Sequence, residues 1–400
     1  MALLLGQDSI FGQLLNFTPH PLVQAMLDGG SEAEDDQDLT VTRDFGANPG
    51  NLRMLSFRPA GLPDGAPLVV VLHGCKQTAG AYDRGAGWSQ LAQEFGFAVL
   101  LPEQRRLNNP QGCFNWFQPE DVSRDEGEVA SIASMIRFLL REERLDAGRV
   151  FITGLSAGGG LTAAMLATYP ELFAGGAIIA GLPFGSANGV HEAFGAMGQG
   201  RIRPARELGD RVRAASRHHG PWPTVSIWQG EADTTVNPVN ATELVKQWTD
   251  VQGIDGQAPE QSMIGPVSHQ VWRNGKGQMA VELYRIPGFG HATPIDPMAR
   301  PAVARCGSVT ASRYILPAGI SSTYRIAESW GLTGEGLSRR RDSAWDKGPG
   351  TPFGGHQLWQ NLMPGGMTVL KEMTAELTAP DTVLGRVLRS TGLIDTKGRK

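Results

Sequence analysis

The chain has 400 residues, a formal net charge of -4 and 41% hydrophobic content, which suits one large elaborated domain or two small ones with a substantial core. Mild acidity without a basic stripe excludes nucleic acid as the main partner, and no apolar run approaches the roughly 18 residues of a membrane span. With 52 Gly and 26 Pro, long loops are expected, and loops held by a rigid scaffold often carry function.

Residues 1–38 form a lead-in that ends in the acidic run "DGGSEAEDDQD" and is expected to be mobile. Its start, "MALLLGQDSIFGQLL", lacks a basic n-region and is interrupted by Gln7 and Asp8. It reads as an amphipathic lead-in rather than an export signal, which places the protein in the cytoplasm. "LTVTRDF" and "NLRMLSFRP" read as alternating strands joined by the "GANPG" turn. "APLVVVLHGC", "GFAVLLPEQ" and "GRVFITGLS" are continuous apolar runs, as expected of strands buried on both faces. Between the last two, Glu128 to Arg144 carries apolar residues at helical spacing, and Asp125 with Glu128 suggests a capping box.

A helix over Leu161 to Thr168 follows, stopped by Pro170. "FAGGAIIAG", "PTVSIWQGEAD" and "VELYRIPGFGH" give three more strands. The alternation predicts an α/β fold with a mainly parallel central sheet and helices on both faces. Residues 183–220 interrupt it as a small insertion after the strand that follows the 161–168 helix. The main domain is therefore expected over 39–334, followed by a Gly-rich surface connection (335–366) and a helical segment (367–400) packing on the same domain.

The segment "FITGLSAGGG" sits where a strand gives way to a helix. A dinucleotide loop would need glycine where Ser156 stands and an acid about 20 residues on, where the chain reads Ile178, Ile179, Ala180, Gly181. Gly154-Leu155-Ser156-Ala157-Gly158 instead fits G-x-S-x-G, the strained turn that presents a nucleophile in an α/β-hydrolase. That fold places an acid and then a histidine after the serine. Asp233, past the "TVSIWQG" strand, is the preferred acid, with Glu231 as its rival. His291 follows a strand and a Gly-flanked loop and is the preferred base. His269 and His356 read as surface residues, and His218 and His219 precede the acid. The N–H groups of Ala157 and Cys75 are the expected oxyanion donors, and His73 reads as a loop-shaping residue because it precedes the serine. The scheme needs no metal or organic cofactor, and Cys75, Cys113 and Cys306 form no C-x-x-C pattern.

"VVVLHGCKQTA", "GCFNWF", "GEVASIASMI", "RVFITGLSAGGG", "IWQGEADTTV", "GFGHATPIDP" and "ILPAGISSTYRIAESWGL" resemble the polyhydroxybutyrate (PHB) depolymerase-like esterases of the α/β-hydrolase superfamily. The resemblance spans residues 50–332 and implies a serine esterase that cleaves poly(3-hydroxyalkanoate)-type polyesters or their oligomers, with Ser156, Asp233 and His291 as its triad. The ester is then the partner, without nucleic acid or membrane insertion. It also implies Trp116 in the cleft, although a core tryptophan fits its sequence context as well, and a disulfide between Cys75 and Cys113. Ser321 stands where the family often has a cysteine, so Cys306 is expected to lack a partner. The family's secreted members carry export signals, which makes a secreted or periplasmic place the alternative to the cytoplasm. No Thr- or Ser-rich linker leads to a substrate-binding module, so oligomers or amorphous polymer are the expected targets. Related esterases act on feruloyl and acetyl groups of plant polysaccharides, which is the alternative activity; a silent hydrolase fold used for binding is the third reading.

Overall fold

A computed structural model describes residues 38–299, 304–305 and 314–334. The lead-in to residue 37, Cys306, His356 and the expectations for 335–366 and 367–400 lie outside the described residues. In chain order the elements are β1 (Thr40–Thr42), β2 (Arg53–Phe57), β3 (Leu68–Leu72), α1 (Ala79–Ala86), α2 (Trp88–Phe95), β4 (Ala98–Glu103), α3 (Gly127–Glu142), β5 (Val150–Leu155), α4 (Ala157–Thr168) and β6 (Gly175–Ile179). There follow α5 (Val190–Gln199), α6 (Ala205–Ala214), β7 (Thr224–Gly230), α7 (Val239–Val251), β8 (Glu260–Ile264), β9 (Val267–Arg273), β10 (Met279–Ile286), β11 (Thr293–Ile295), β12 (Ile315–Pro317) and α8 (Ser322–Ser329).

Ten strands form one sheet in the order β1-β2-β4-β3-β5-β6-β7-β10-β9-β8. The six from β4 to β10 run parallel, and antiparallel pairs extend each edge. This is the expected α/β-hydrolase architecture.

The central strands are buried from end to end because helices cover both faces, so their side chains sort into two cores by period two. Leu68, Val70 and Leu72 join a core with Ile132, Ile136, Leu161 and Trp248. Val69 and Val71 point the other way, toward Tyr82, Trp88, Leu91 and Trp330. α3 buries Val129, Ile132, Ala133, Ile136 and Leu139, which is one helical face.

Three local expectations are corrected. α3 has no side-chain cap: Glu126 is its cap residue, Asp125 holds φ 68°, and its carboxylate accepts from the Tyr169 hydroxyl instead. Glu128 turns inward and is buried. α4 begins at Ala157, four residues before Leu161, because the glycines that weaken a helix alone are needed by their neighbours here. β8 was not anticipated: its residues are almost all exposed, so no apolar alternation marks it.

The insertion at 183–220 contains α5 and α6 and lies on α7. The buried Gln247 accepts from the Phe184 N–H and donates to the carbonyls of Phe184 and Leu208. Arg213 reaches Asp250 at 2.5 Å, and the Glu243 carboxylate accepts from the Arg203 N–H at 2.8 Å. These polar links fix the insertion beside the C-terminal ends of the parallel strands.

Candidate active site

Ser156 lies between the end of β5 and the start of α4 with φ 58° and ψ -115°. A non-glycine residue in that region is strained, and it persists only where surrounding contacts over-determine it. Here the Ser156 N–H donates to the Ile179 carbonyl and its own carbonyl accepts from the Gly160 N–H, both at 2.9 Å. The α4 N-terminus directs its N–H groups toward the serine, where they favour negative charge.

The surrounding glycines allow this close packing. A Cβ on Gly154 would lie 2.3 Å from the Gly158 oxygen. One on Gly158 would lie 2.4 Å from the Leu72 oxygen and 2.6 Å from the His73 oxygen. A Cβ on Gly159 would lie 3.0 Å from the Ile179 oxygen, and one on Gly160 2.8 Å from Trp116 Cγ. Because the obstacles at Gly158 are backbone atoms, Gly158→Ala is expected to cost about 1–3 kcal/mol of stability. Its denaturant midpoint should fall, and an unchanged midpoint would contradict this packing.

Asp233 is buried in the loop after β7. Its Oδ1 accepts from the N–H groups of Thr235 (2.8 Å) and Val236 (2.9 Å), while Oδ2 accepts from Gln229 Nε2 (3.2 Å) and faces His291 Nδ1 at 2.7 Å. Burial alone would raise its pKa; the hydrogen bond and charge of His291 with the two loop N–H groups outweigh it and hold the carboxyl below its usual range. With Nδ1–H donated to Asp233, His291 presents Nε2 as its free acceptor, a tautomer assigned from the hydrogen bonds. Glu231 is exposed and takes no part in this pair.

Sequence reading did not anticipate how the acid and histidine loops are joined. Gly230 lies so close to the 288–290 loop that a Cβ would sit 2.3 Å from the Phe289 oxygen. The Ala232 N–H donates to Phe289 O at 2.9 Å and the Glu231 N–H to Ile286 O at 3.0 Å. The terminal glycine of "WQG" was the available signal.

Cys75 and Cys113 are joined by a disulfide. Gly74 N–H is taken by Gln77 Oε1 at 2.8 Å and Lys76 N–H by Gln111 O at 2.8 Å. The N–H groups of Cys75 and Ala157 have no hydrogen-bond acceptor among the described residues. Acyl transfer requires two such donors converging on the developing oxyanion.

Trp116 is 8% exposed and sits in a small apolar cluster with Ala157, Leu182, Ala187, Ala193, Ala196 and Val236. It meets Phe117 edge-on at 5.5 Å. Ala193 and Ala196 come from α5, so the insertion supplies part of this cluster. His269 is not a surface residue: it stacks on Tyr284 at 4.2 Å and pairs with the buried Glu282 at 2.9 Å. Among the described residues no group of three or more His, Cys, Asp or Glu is placed to hold a metal ion.

A strained serine at a strand-to-helix turn and a His–Asp pair on neighbouring loops define an ester hydrolase of the α/β-hydrolase fold. Residues 54–262 match the family described as Esterase PHB depolymerase, and the chain belongs to that family. Poly(3-hydroxyalkanoate) depolymerase C of Paucimonas lemoignei is 43% identical over 297 residues, covering 74% of this chain and 70% of that protein. Acetylxylan esterase of Coprinopsis cinerea is 36% identical over 268 residues, covering 64% and 69%. The solved acetyl xylan esterase from Aspergillus awamori aligns with a TM-score of 0.61 at 26% identity, over 74% of this chain and 99% of that one.

These relatives overturn the cytoplasmic placement and favour a secreted or periplasmic enzyme. The disulfide points the same way, since such bonds persist in oxidising compartments. The cytoplasmic expectation rested on the lead-in, which lies outside the described residues. No described helix is long and apolar enough to cross a membrane.

Proposed function

We propose that this esterase cleaves the ester bonds of poly(3-hydroxyalkanoate)-type polyesters or their short oligomers through an acyl-enzyme. Ser156 Oγ attacks the ester carbonyl while His291 Nε2 takes its proton. Asp233 keeps the imidazole in the required tautomer and stabilises it when charged. The N–H groups of Cys75 and Ala157 receive the oxyanion. His291 then returns the proton to the leaving alcohol, water enters, and the same cycle releases the hydroxy acid. The observation that carries this reading is the Asp233–His291 bond, on loops stitched together past β7 and β10, with a strained Ser156 past β5. The polyester substrate is supported by the 43% identity to the depolymerase.

A second reading is favoured by a specific observation: the acetyl xylan esterase of known structure is matched over 99% of its length. In that case the chain removes acetyl or feruloyl groups from plant polysaccharide. A panel of 3-hydroxybutyrate oligomers, acetylated xylan and feruloylated sugars separates the two. The expected result is higher kcat/KM on the oligomers. Preference for acetylated xylan, with slow oligomer turnover, would replace the polyester reading with the second.

A further inference from the structure

Glu128 plays no part in the chemistry proposed above, yet it is 1% exposed, on the first turn of α3. Its two carboxylate oxygens each accept one hydrogen bond. Gln104 Nε2 donates to Oε1, and the Asn115 backbone N–H donates to Oε2 at 2.9 Å. Each partner leads to a different side of the candidate site.

On one side, the Gln104 backbone N–H donates to His73 Nε2 at 3.1 Å. That nitrogen is therefore the acceptor, and Nδ1 carries the ring proton. Nδ1–H donates to the Gly74 carbonyl at 2.8 Å. In a trans peptide the carbonyl and the next N–H point in opposite directions. Fixing the Gly74 carbonyl therefore fixes the direction of the Cys75 N–H, the proposed oxyanion donor. Burial lowers the pKa of His73 and keeps the ring neutral, so the relay keeps its polarity. Gln104 also donates to the Cys113 carbonyl at 3.1 Å, next to the disulfide that holds Cys75.

On the other side, the Asn115 backbone leads directly into Trp116, which seats on Gly160 in the first turn of α4. Asn115 Nδ2 donates to Asp121 at 3.1 Å and its Oδ1 accepts from Asn109 at 2.9 Å. This segment is therefore held by side-chain bonds rather than by a sheet.

We propose that Glu128 is a positioning residue that aligns the Cys75 oxyanion donor, through Gln104 and His73, with the Asn115–Trp116 wall. The proposal rests on the serine-esterase reading of the site. Glu128 touches neither the substrate nor the reacting atoms. Its two oxygens accept from two separate donors, and those bonds oppose the strong upward push that burial and the Asp121 carboxylate exert on its pKa. Glutamine at this position keeps the volume but offers one acceptor oxygen and one amide NH2. One of the two donors would then face another donor inside a buried site, which is costly.

Glu128→Gln tests this on the full chain with a short p-nitrophenyl ester. Small displacements of an oxyanion donor act on the transition state rather than on substrate binding. The expected result is a fall in kcat of about 10- to 100-fold with KM within about threefold. Affinity for an alkylboronic acid, which becomes tetrahedral on the serine, should weaken in parallel. Glu128→Asp, which keeps the two acceptors on a shorter stem, should recover part of the loss. A folded Glu128→Gln enzyme with wild-type kcat and boronate affinity would overturn the proposal. So would a loss of thermal stability with both parameters unchanged. If that variant does not fold, Gln104→Leu cuts the same relay from its other end and must show the same split between kcat and KM. Failure of the serine-esterase reading looks different, because the wild-type enzyme would then ignore the ester and the boronate alike.

Discussion

Ser156→Ala is expected to lower kcat on any ester the wild-type enzyme turns over by about 10^4- to 10^6-fold, with KM little changed. The size of the effect follows from the geometry. The strained turn presents one hydroxyl to the carbonyl, and among the described residues no second serine has such a turn with φ in the left-handed region. The backbone oxyanion donors and the binding surface survive the substitution, so a small residual rate above that in water should remain. Alanine relieves nothing in the backbone, so the fold should be retained, and circular dichroism with a thermal melt checks this. A variant with more than about a tenth of wild-type kcat would remove Ser156 from the mechanism.

Asp233→Asn is expected to cost about 10^4-fold in kcat. The asparagine NH2 would face His291 Nδ1 across the present 2.7 Å contact. Nδ1 would then be the acceptor and Nε2 would carry the proton, so the ring could no longer take one from Ser156. Glu231→Gln is the companion measurement. Glu231 is exposed, and its neutralisation should leave kcat within about twofold. Equal losses in both variants would mean that the acid had been misassigned. The same carboxylate has a signature in stability. Its folded pKa lies below the ordinary value, so its contribution is complete above the unfolded carboxylate pKa. That contribution is lost as pH falls through the depressed folded value. Asp233→Asn should therefore flatten the acid side of a stability curve measured by denaturant titration.

Much of this arrangement was legible in the chain. Continuous apolar runs such as "LVVVL" and "VFITGL" identify strands buried on both faces, and β3 and β5 are buried at every position. Ser156, Asp233 and His291 come in that order, each past the C-terminal end of a parallel strand, β5, β7 and β10. What escaped depended on contacts distant in sequence. Glu128 matched the spacing of a helix cap, but the demand for its carboxylate comes from Gln104 and Asn115 across the loop. His269 lay in polar sequence, yet its partners Tyr284 and Glu282 are on the adjacent strand. The sequence does not decide what Gly159 and Gly160 do; in the fold a Cβ at the first would meet the Ile179 carbonyl and one at the second would meet Trp116. β8 carries little apolar character because its side chains face solvent at the sheet edge.

The run of glycines around Ser156 has an evolutionary consequence. Gly154, Gly158, Gly159 and Gly160 abut the helix's own first turn, the end of β3, the end of β6 and Trp116 respectively. No single compensating change makes room for a side chain at more than one of them. A lineage carrying this turn can therefore explore new esters only at a distance from it, in the insertion and the loops beyond the sheet. Adaptation is confined to surfaces that touch the acyl and alcohol groups, while the reacting centre stays fixed. On that basis a fold of this kind diversifies by exchanging its rim, and directed evolution toward a new ester should begin with libraries on α5 and the Asn115–Phe117 loop.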